Sequence, residues 1–451
     1  MTVTAVILAA GQGTRMRSAL PKVLHKVAGR SLVQYSLDAV AQLGDTTPVL
    51  VVGHAAEAVR AAVGDTARYV VQAEQLGTGH AVRMAGPLLK GKSDLVVVIY
   101  ADMPLLSSDV LQRLVDQQRA NDGPITMLTV EVDNPRGFGR IVRAAGGSVQ
   151  AIVEEAQCTP EQLAIRELNV GVYCFDGDWL WEALERVPLS PKGEYYLTDT
   201  VGLATKSGLA VQAIMMDDPA DAMGINTRVH LAEAEAIMRA RTNQIWMESG
   251  ITMPDPNTVY IEQGVVIGQD TIIMPNTHLH GATQIGQNCI IGPNSIIDDC
   301  RIGNGCRVLS SMLEKAIMDD NADIGPFGRL RKGAHLGEGV HMGNFGEVKD
   351  SYLAPGVKMG HFSYIGNADI GEDVNIGAGT ITCNYDGKNK YPTEIGAGTF
   401  IGSDTMLVAP LKIGKNVITG AGAVVKNDVQ DNEVVAGVPA RPIKKKREEI
   451  D

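Results

Sequence analysis

The chain is poor in aromatic residues and cysteines and carries no excess of positive charge. Tryptophan, tyrosine and phenylalanine together make up 4% of its 451 residues, so a core filled mainly by aliphatic side chains is expected. Only six cysteines are present, none in a CxxC pair, and a chain of this length needs no disulfide staples. We therefore expect reduced thiols in a cytoplasmic protein.

The charge and hydropathy patterns argue against nucleic acid and membranes as partners. A formal net charge of −12 argues against a surface that coats nucleic acid, although small phosphorylated ligands need only a few local cations. No apolar run approaches the roughly 20 residues of a membrane span. The apolar start, Thr2 to Ala10, lacks a basic region and leads into a glycine loop, so it indicates a first strand rather than a secretory signal.

The second half of the chain contains a long six-residue repeat of aliphatic side chains. Helices repeat apolar residues about every 3.6 positions and two-faced strands about every 2, so this period fits neither. It predicts short strands stacked into a parallel β-helix. Glycine often follows the aliphatic residue, as at Gly268, Gly286, Gly292 and Gly414, where a sharp corner would need it. The repeated positions are Ile261, Ile267, Ile273, Leu279, Ile285, Ile291, Ile297, Ile302, Val308, Ile324, Leu330, Leu336, Met342, Val348, Ile395, Ile401, Leu407 and Ile413.

The first half alternates strand-like and helix-like segments, which predicts βαβ units and a mainly parallel sheet. Expected strands are Val3–Leu8, Pro48–Val52 and Leu95–Ala101, and expected helices are Ser31–Leu43 and Ala55–Val63.

A helix is expected to bridge the two halves. Thr227 would cap its start and Gly250 would end it. Leu231, Ala234, Met238 and Ile245 fall on one face at helical spacing. The basic run Lys444 to Arg447 is interpreted as a solvated tail, with a binding arm as the alternative. The β-helix is interrupted at Cys383 to Pro392, and such a loop is a natural place for function.

A glycine loop after the first strand, Leu8 to Met16, could bring backbone N–H groups close to an anion. It is neither a Rossmann fingerprint nor a Walker A loop. A tight turn without ligand remains an alternative, and the following Lys22 could be an ordinary surface lysine.

The motifs together resemble those of sugar-1-phosphate nucleotidylyltransferases. They are Leu8 to Met16 with Pro21-Lys22, Gln72 to Ala81, Tyr100 to Asp102, Gly137 to Ile141, Asn169 to Gly171 and Gly224 to Asn226. With a hexapeptide β-helix behind them, nearly the whole chain resembles the bacterial family of bifunctional N-acetylglucosamine-1-phosphate uridyltransferase/glucosamine-1-phosphate acetyltransferases. The resemblance implies an α/β protein with a Rossmann-like nucleotidylyltransferase domain (1–226), a linker helix (227–250) and a left-handed β-helix acetyltransferase domain with a tail (251–451).

The resemblance implies a magnesium-dependent uridylyl transfer in the first domain. Asp102 and Asn226 are expected to hold Mg²⁺, while Arg15 and Lys22 offset phosphate charge as catalytic cations. One departure from the family is Ala101, where glycine is usual. An Asp after a strand could also be a simple turn residue, and Asn226 could merely cap the bridging helix.

A larger set is implied to bind UTP and UDP-N-acetylglucosamine, through uracil, sugar and phosphate contacts. Its members are Leu8, Ala9, Ala10, Gly11, Lys22, Gln72, Gly77, Thr78, Tyr100, Ala101, Asp102, Gly139, Glu154, Asn169 and Asn226. Within this set, the region of Gln72 would contact uracil, and Glu154 and Asn169 would contact the sugar.

Acetyl transfer to a sugar amine needs a general base, and histidine is suited to that task. The family resemblance selects His361 from the nine histidines, although a structural histidine at a coil corner is the alternative. It also implies a site for glucosamine 1-phosphate at Arg331, Lys349, Tyr364 and Asn375. The residues expected to bind acetyl-CoA are Ala378, Asn384, Tyr385, Ser403, Ala421 and Arg441.

The resemblance further implies a homotrimer with the acetyl-transfer pocket between chains. Gly437, where the family can have arginine, is a second departure. A covalent acetyl-cysteine at Cys383 is conceivable, but a buried thiol is the simpler interpretation. Two broader alternatives remain: a nucleotidylyltransferase whose β-helix only regulates or assembles it, and a trimerising scaffold with a degenerate ligand-binding head.

Overall fold

The computed structural model describes residues 1–44, 46–133, 135 and 137–445. The chain forms two compact units, Met1–Met238 and Arg239–Asp451. Among the described residues, no helix combines the length and apolar composition that crossing a bilayer requires. Lys446 and Arg447 of the predicted tail lie outside the described residues.

The N-terminal unit is an α/β domain, as predicted. Its strands are β1 Val3–Ala9, β2 Lys26–Val27, β3 Arg30–Ser31, β4 Val49–Val52, β5 Arg68–Val71, β6 Leu95–Tyr100, β7 Ile125–Glu131, β8 Arg140–Arg143, β9 Val149–Val153, β10 Glu167–Asp176 and β11 Val211–Met215. The helices of the chain are α1 Leu32–Val40, α2 Ala56–Val63, α3 Thr78–Arg83, α4 Gly86–Leu89, α5 Ser108–Arg119, α6 Pro160–Leu163, α7 Gly177–Arg186, α8 Asp199–Lys206 and α9 Arg228–Glu248.

The main sheet has the strand order β11-β7-β10-β6-β1-β4-β5. Strands β6, β1, β4 and β5 run parallel to one another, whereas β10 runs antiparallel to both of its neighbours. The strands at the centre are apolar on both faces because both faces of the sheet are covered. The carboxyl ends of β1, β5 and β6 therefore meet at one edge, where open parallel sheets commonly bind ligands.

The helix predicted to bridge the halves is α9. Thr227 caps its start, since its hydroxyl accepts a hydrogen bond from the His230 N–H at 3.2 Å, and Gly250 follows its end with a φ of 99°. Ala234 is buried as predicted, but Ile245 is 66% exposed, so its assignment to the packing face is wrong. In the last turns of α9 the packing residues are instead Asn243 and Trp246.

The polar contact of Asn243 explains that change of face. Asn243 is fully buried, and its side-chain amide donates to the carbonyl oxygens of Pro256 and Val259 at 2.7 and 2.9 Å. These bonds fix the entry into the first coil, and they orient the helix by hydrogen bonds that an apolar pattern does not reveal.

The C-terminal unit is a parallel β-helix of three sheets, as predicted, and its strand pairing is consistent with a left-handed β-helix of hexapeptide repeats. The first sheet comprises Tyr260–Ile261, His278–His280, Ile296–Asp298, Met312–Glu314, Arg329–Leu330, Gly346–Lys349, Ser363–Gly366, Ile381–Cys383, Met406–Val408 and Val424–Val425. The second comprises Val266–Ile267, Gln284–Ile285, Arg301–Ile302, Ile317–Met318, Ala334–Leu336, Ser351–Leu353, Ala368–Ile370, Thr393–Ile395 and Leu411–Ile413.

The third sheet comprises Ile272–Ile273, Ile290–Ile291, Arg307–Val308, Asp323–Ile324, His341–Met342, Lys358–Met359, Asn375–Ile376, Phe400–Ile401, Ile418–Thr419, Glu433–Ala436 and Arg441–Lys445. Its last strand is antiparallel to the one before it. Lys444 and Lys445, predicted to lie in a solvated tail, therefore belong to an edge strand. The backbone of this terminal strand covers the end of the sheet.

Every aliphatic position of the six-residue repeat is buried in one continuous core, which confirms the prediction. The reason given for the glycines is only partly correct. Gly292 does adopt a left-handed φ of 93°. At Gly268, by contrast, a Cβ would lie 2.6 Å from the backbone nitrogen of Gln287, so glycine is needed because the next coil approaches closely.

Candidate functional site

A cavity of about 550 Å³ opens in the N-terminal unit at the carboxyl ends of β1 and β6. Every residue that the sequence predicted to bind the nucleotide or the sugar lines this cavity except Ala101. The lining also includes Glu194, Tyr196 and Thr198, which the sequence analysis did not select. The strand ends and the loops after them therefore converge on one space large enough for a small ligand.

Two predicted residues lie elsewhere. Ala101 is fully buried, its methyl group belongs to the core, and its N–H donates to the Leu8 carbonyl at 3.0 Å. The methyl that replaces the usual glycine hydrogen is thus accommodated away from the cavity. Arg15 lies in a short 3₁₀ turn, Thr14–Met16, and is exposed rather than part of the cavity lining.

Lys22 connects the glycine loop that follows β1 with the end of β6. Its ammonium forms an ion pair with Asp102 and lies 3.2 Å from the side-chain oxygen of Asn226. The Lys22 and Asp102 side chains are only 14% and 13% exposed. Gly13 makes this approach possible, since a Cβ there would lie 2.6 Å from the Lys22 Cβ. The N–H of Ile225 donates to the Asp102 carbonyl at 2.9 Å and thereby brings Asn226 into place.

These two oxygens fit a hard divalent cation. The Lys22 ammonium already occupies a position between the Asp102 carboxylate and the Asn226 amide oxygen, so a positive charge is stabilised there. No group of three or more His, Cys, Asp or Glu side chains that could hold a metal occurs within the described ranges. Two protein oxygens suit an ion such as Mg²⁺, which completes its shell with phosphates and water.

The far wall of the cavity carries a buried carboxyl group. Burial raises the pKa of Glu154, and this effect is partly offset by the hydroxyl of Thr198, which donates to the carboxylate at 3.0 Å. Asn169 lies nearby on β10, and its side-chain oxygen accepts from the Gly171 N–H at 3.1 Å and the Tyr173 hydroxyl at 3.0 Å. These contacts orient the Asn169 amide, so its nitrogen remains available as a donor.

A hydrogen bond connects the segment after β5 with the glycine loop that follows β1. The Gln75 side chain donates to the Ala10 carbonyl at 2.9 Å. The Gln72 side-chain nitrogen donates to the Gly77 carbonyl at 3.0 Å, which leaves its oxygen as an acceptor. On the opposite side, the Tyr195 carbonyl accepts from the Gly79 N–H at 2.8 Å. This pairing brings Glu194 to Thr198 to the cavity, and no motif in the sequence indicated it.

On the β-helix, the residues predicted to bind an anion lie on consecutive coils of the first sheet. The pairing of Leu330 with Val348 makes Arg331 and Lys349 neighbours. A third cation, Lys390, comes close to Lys349 from the loop that interrupts the repeat, and the nearby Lys349 ammonium lowers the pKa of Lys390, with a smaller contribution from Arg331. The sequence analysis missed Lys390, which is one of several charged residues in that loop. Arg331 also pairs with Glu347 at 2.9 Å.

The remaining residues predicted to bind glucosamine 1-phosphate, Tyr364 and Asn375, lie on two different sheets. Tyr364 is half-buried and pairs in register with Glu347 on the first sheet. Asn375 lies on the third sheet, between Lys358 and Phe400.

Four predicted residues follow one corner of the β-helix, between the third and first sheets. Hydrogen bonds run from Gly379 N to Phe362 O, from Asp404 N to Ala378 O and from Gly422 N to Ser403 O, at 2.6 to 2.8 Å. The same corner is therefore occupied on consecutive coils by His361, Ala378, Ser403 and Ala421. We call this row the donor corner.

His361 is exposed, and its imidazole makes no hydrogen bond within the part of the chain that the structure describes. The predicted residues in the loop that interrupts the β-helix differ in exposure. Asn384 is buried and donates to the Asn367 side chain at 2.8 Å, whereas Tyr385 is 60% exposed. Burial raises the pKa of the Cys383 thiol, which argues against a thiolate nucleophile there. Arg441 is exposed on the terminal strand.

Comparison with known proteins agrees with this division. The MobA-like NTP transferase domain family matches residues 5–164, and the bacterial transferase hexapeptide family matches residues 264–299, 282–311 and 392–427. The "Bifunctional protein GlmU" of Heliobacterium modesticaldum is 47% identical over 427 residues, which cover 94% of this chain and 93% of that protein.

Further relatives extend the match. The protein of the same name from Shouchella clausii is 43% identical and covers 94% of each chain, and that from Enterococcus faecalis is 45% identical over 91% of this chain and 90% of its own. A nucleotidyl-transferase sheet followed by a hexapeptide β-helix, matched along nearly the full length at these identities, means that the chain belongs to the family of bifunctional GlmU proteins.

Proposed function

We propose that the N-terminal cavity performs uridylyl transfer and that the donor corner of the β-helix performs acetyl transfer. The two activities follow from membership of the GlmU family: the chain makes UDP-N-acetylglucosamine as a uridyltransferase and a CoA-dependent acetyltransferase. What we propose is where each reaction occurs and which residues carry it. The alternatives of a single activity or an inert scaffold do not fit relatives that are named bifunctional.

In the first reaction, a phosphate oxygen of N-acetylglucosamine 1-phosphate attacks the α-phosphorus of UTP. The new P–O bond forms in line with the bond that breaks to release pyrophosphate. The protein's task is to hold two anions together and neutralise their charge. This assignment is supported by the glycine loop after β1, the Lys22 ammonium and the Asp102–Asn226 pair, which face the same cavity.

We propose that Asp102 and Asn226 hold Mg²⁺. When bound there, the ion withdraws negative charge from the phosphates during transfer. Lys22, which lies between these oxygens, moves toward the phosphates and acts as a point charge. Arg15 is exposed beside the loop, so a contact with the outer phosphates is proposed for it.

The uracil and sugar ends of the cavity differ in chemistry. Gln72 offers an amide oxygen and the nearby Gly77–Thr78 backbone offers polar groups, which suit the imide edge of uracil. At the other end, the Glu154 carboxylate and the Asn169 amide suit sugar hydroxyls and an acetamido group.

In the second reaction, the amine of glucosamine 1-phosphate attacks the thioester carbonyl of acetyl-CoA. The C–N bond forms and the amine proton passes to the His361 imidazole. The C–S bond then breaks, and the imidazolium returns the proton to the departing sulfur, which releases the CoA thiol. Arg331, Lys349 and Lys390 bind the phosphate, with Tyr364 and Asn375 beside the sugar. Arginine can clasp phosphate with two hydrogen bonds, whereas lysine acts as a point charge.

The acetyl-CoA arm is proposed to extend along the donor corner from His361 past Ala378, Ser403 and Ala421. Neighbouring coils are about 4.8 Å apart, so these four levels span roughly 14 Å, the reach of an extended chain. Asn384, Tyr385 and Arg441 complete the proposed donor site.

An exposed corner has no opposing wall within one chain. We therefore propose a homotrimer in which a neighbouring copy covers the donor corner. A cytoplasmic location is proposed as well, because UTP and acetyl-CoA are cytoplasmic metabolites and the six cysteines are free.

The observation that carries the proposal is the convergence of Lys22, Asp102 and Asn226 in one cavity. The test is a single reaction with glucosamine 1-phosphate, acetyl-CoA, UTP and Mg²⁺, followed by mass spectrometry. Omitting UTP should leave N-acetylglucosamine 1-phosphate, and omitting acetyl-CoA should leave unreacted glucosamine 1-phosphate. A UDP-sugar formed without acetyl-CoA at the full rate would contradict the assigned order of reactions.

A further inference from the structure

A row of phenylalanines lies beside the donor corner, on the coil of His361 and on the two coils before it. Three of the six phenylalanines of the chain, Phe327, Phe345 and Phe362, occupy this corner on consecutive coils. They are 58%, 59% and 55% exposed. The rings of Phe327 and Phe345 stack with their centroids 5.2 Å apart and their planes inclined by 18°.

Two of these residues have an unfavourable backbone conformation. Phe327 and Phe345 have φ values of 64° and 58°, in the left-handed region that bulky residues seldom adopt. The same corner has Asn294 on an earlier coil and Gly379 on a later one, residues that tolerate this conformation better. A large exposed ring in an unfavourable backbone conformation adds little to the stability of its own coil, so its value lies in what it contacts outside the core.

The side chains along this corner change in size at the level of His361. On the side of the proposed CoA arm, the donor-corner residues Ala378, Ser403 and Ala421 are small, and the residues that follow them are Gly379, Asp404 and Gly422. Gly422 has open space where a Cβ would stand. The equivalent residue on the coil of His361 is Phe362, which hydrogen-bonds through its carbonyl to the Gly379 N–H, and one coil earlier it is Phe345. The residue that follows the donor corner is therefore an exposed aromatic ring at the level of the proposed base.

We propose that Phe362 is the specificity-determining residue that limits the transferred acyl group to acetyl. This inference rests on the proposed function. With CoA over the small residues and the thioester carbonyl beside His361, the acyl group lies at the coil of His361, next to the Phe362 ring. An acetyl methyl fits before that ring, whereas each further methylene collides with it. The amine still attacks the carbonyl and the CoA thiol still leaves, so Phe362 selects the donor without taking part in bond exchange.

The experiment compares acetyl-, propionyl- and butyryl-CoA as donors to glucosamine 1-phosphate, with kcat/KM measured for each by thiol release. The proteins are the full-length wild type, Phe362→Ala and the matched control Phe327→Ala, which removes an equally exposed ring two coils away. One methylene in a pocket of fixed size changes kcat/KM by about 10- to 200-fold. We expect Phe362→Ala to raise the propionyl-to-acetyl ratio at least about tenfold, and Phe327→Ala to leave the ratio as in the wild type.

Other outcomes separate the competing explanations. An unchanged ratio in a Phe362→Ala protein that still acetylates overturns the inference and leaves the proposed function standing. If that variant does not fold, Phe362→Leu replaces it, and an unchanged ratio there has the same meaning. Both alanine variants could change the molar mass of the assembled protein in solution without changing the propionyl-to-acetyl ratio. The row of phenylalanines is then only a contact between copies of the chain, and the inference is wrong. A wild type without any acetyl transfer overturns the proposed function, and the inference with it.

Discussion

The substitution Asp102→Asn removes one negative charge while keeping the shape of the side chain. In the structure this carboxylate pairs with Lys22, and both side chains are less than 15% exposed, at 13% and 14%. Exposed pairs contribute about 0–1 kcal/mol, and breaking a buried pair costs about 3–5 kcal/mol. Lys22 would keep Asn226 as an acceptor at 3.2 Å, so we expect a loss of about 1–2 kcal/mol in the free energy of unfolding of the N-terminal unit.

The effect on the reaction should be larger than the effect on stability. A cation that stabilises charge on a transferring phosphoryl group contributes several kcal/mol. A loss of about 3–5 kcal/mol corresponds to a fall of about 10²- to 10⁴-fold in the uridylyl-transfer rate. Acetyl transfer by the same chain should be unchanged, because its proposed residues lie in the β-helix, and it therefore serves as an internal control for folding and concentration.

The assay measures pyrophosphate release at saturating Mg²⁺ and acetyl-dependent thiol release in parallel, with thermal unfolding on the same samples. A loss of 1–2 kcal/mol should lower the Tm of the N-terminal unit by about 2–8 °C. Asp217→Asn is the matched control. Asp217, like Asp102, forms an ion pair, here with Arg113, but its side chain is 79% exposed. A uridylyl rate within twofold of wild type for Asp102→Asn would refute the metal assignment.

Three further predictions concern the base and two titrating groups. His361→Ala should lower acetyl transfer by about 10²- to 10⁴-fold while UDP-sugar formation from N-acetylglucosamine 1-phosphate stays unchanged, and normal CoA release would contradict the assignment. Because burial raises the pKa of Glu154, its carboxylate is protonated at a higher pH than an exposed glutamate; KM for the sugar phosphate should therefore rise as the pH falls through that range, and Glu154→Gln should remove this acid limb from the pH profile. Because Lys349 lowers the pKa of Lys390, the ammonium is lost at a lower pH than usual; KM for glucosamine 1-phosphate should rise on the alkaline side, and a Lys390→Arg profile with the same alkaline limb would contradict this role.

The β-helix could be predicted from the sequence because its contacts are local and repeated. Each aliphatic residue, such as Ile291, packs on residues one coil before and after it, so the period of the sequence is also the period of the core. The same regularity places His361, Ala378, Ser403 and Ala421 on one corner once the coil lengths are known.

The cavity in the N-terminal unit depends on residues far apart in the chain. Lys22 and Asn226 are separated by 204 positions, and only the family resemblance brought them together in the sequence analysis. No motif indicated Thr198 or Glu194, because their segment reaches the cavity by pairing its backbone with residues near Gly79. Tertiary packing likewise places the Ala101 methyl group in the core rather than in the cavity.

Periodicity was enough to predict the alternating α/β half and the coiled half, because it reports on neighbours along the chain, whereas the predicted residues that line the cavity came from the family resemblance. The tertiary structure decided the position of Lys390 beside Lys349, the exposure of Ile245 and Arg15, and the exposure of the Phe362 ring next to His361. The physical reason is that these features arise where separate segments meet, and the free energy of such contacts depends on distances that no local pattern encodes.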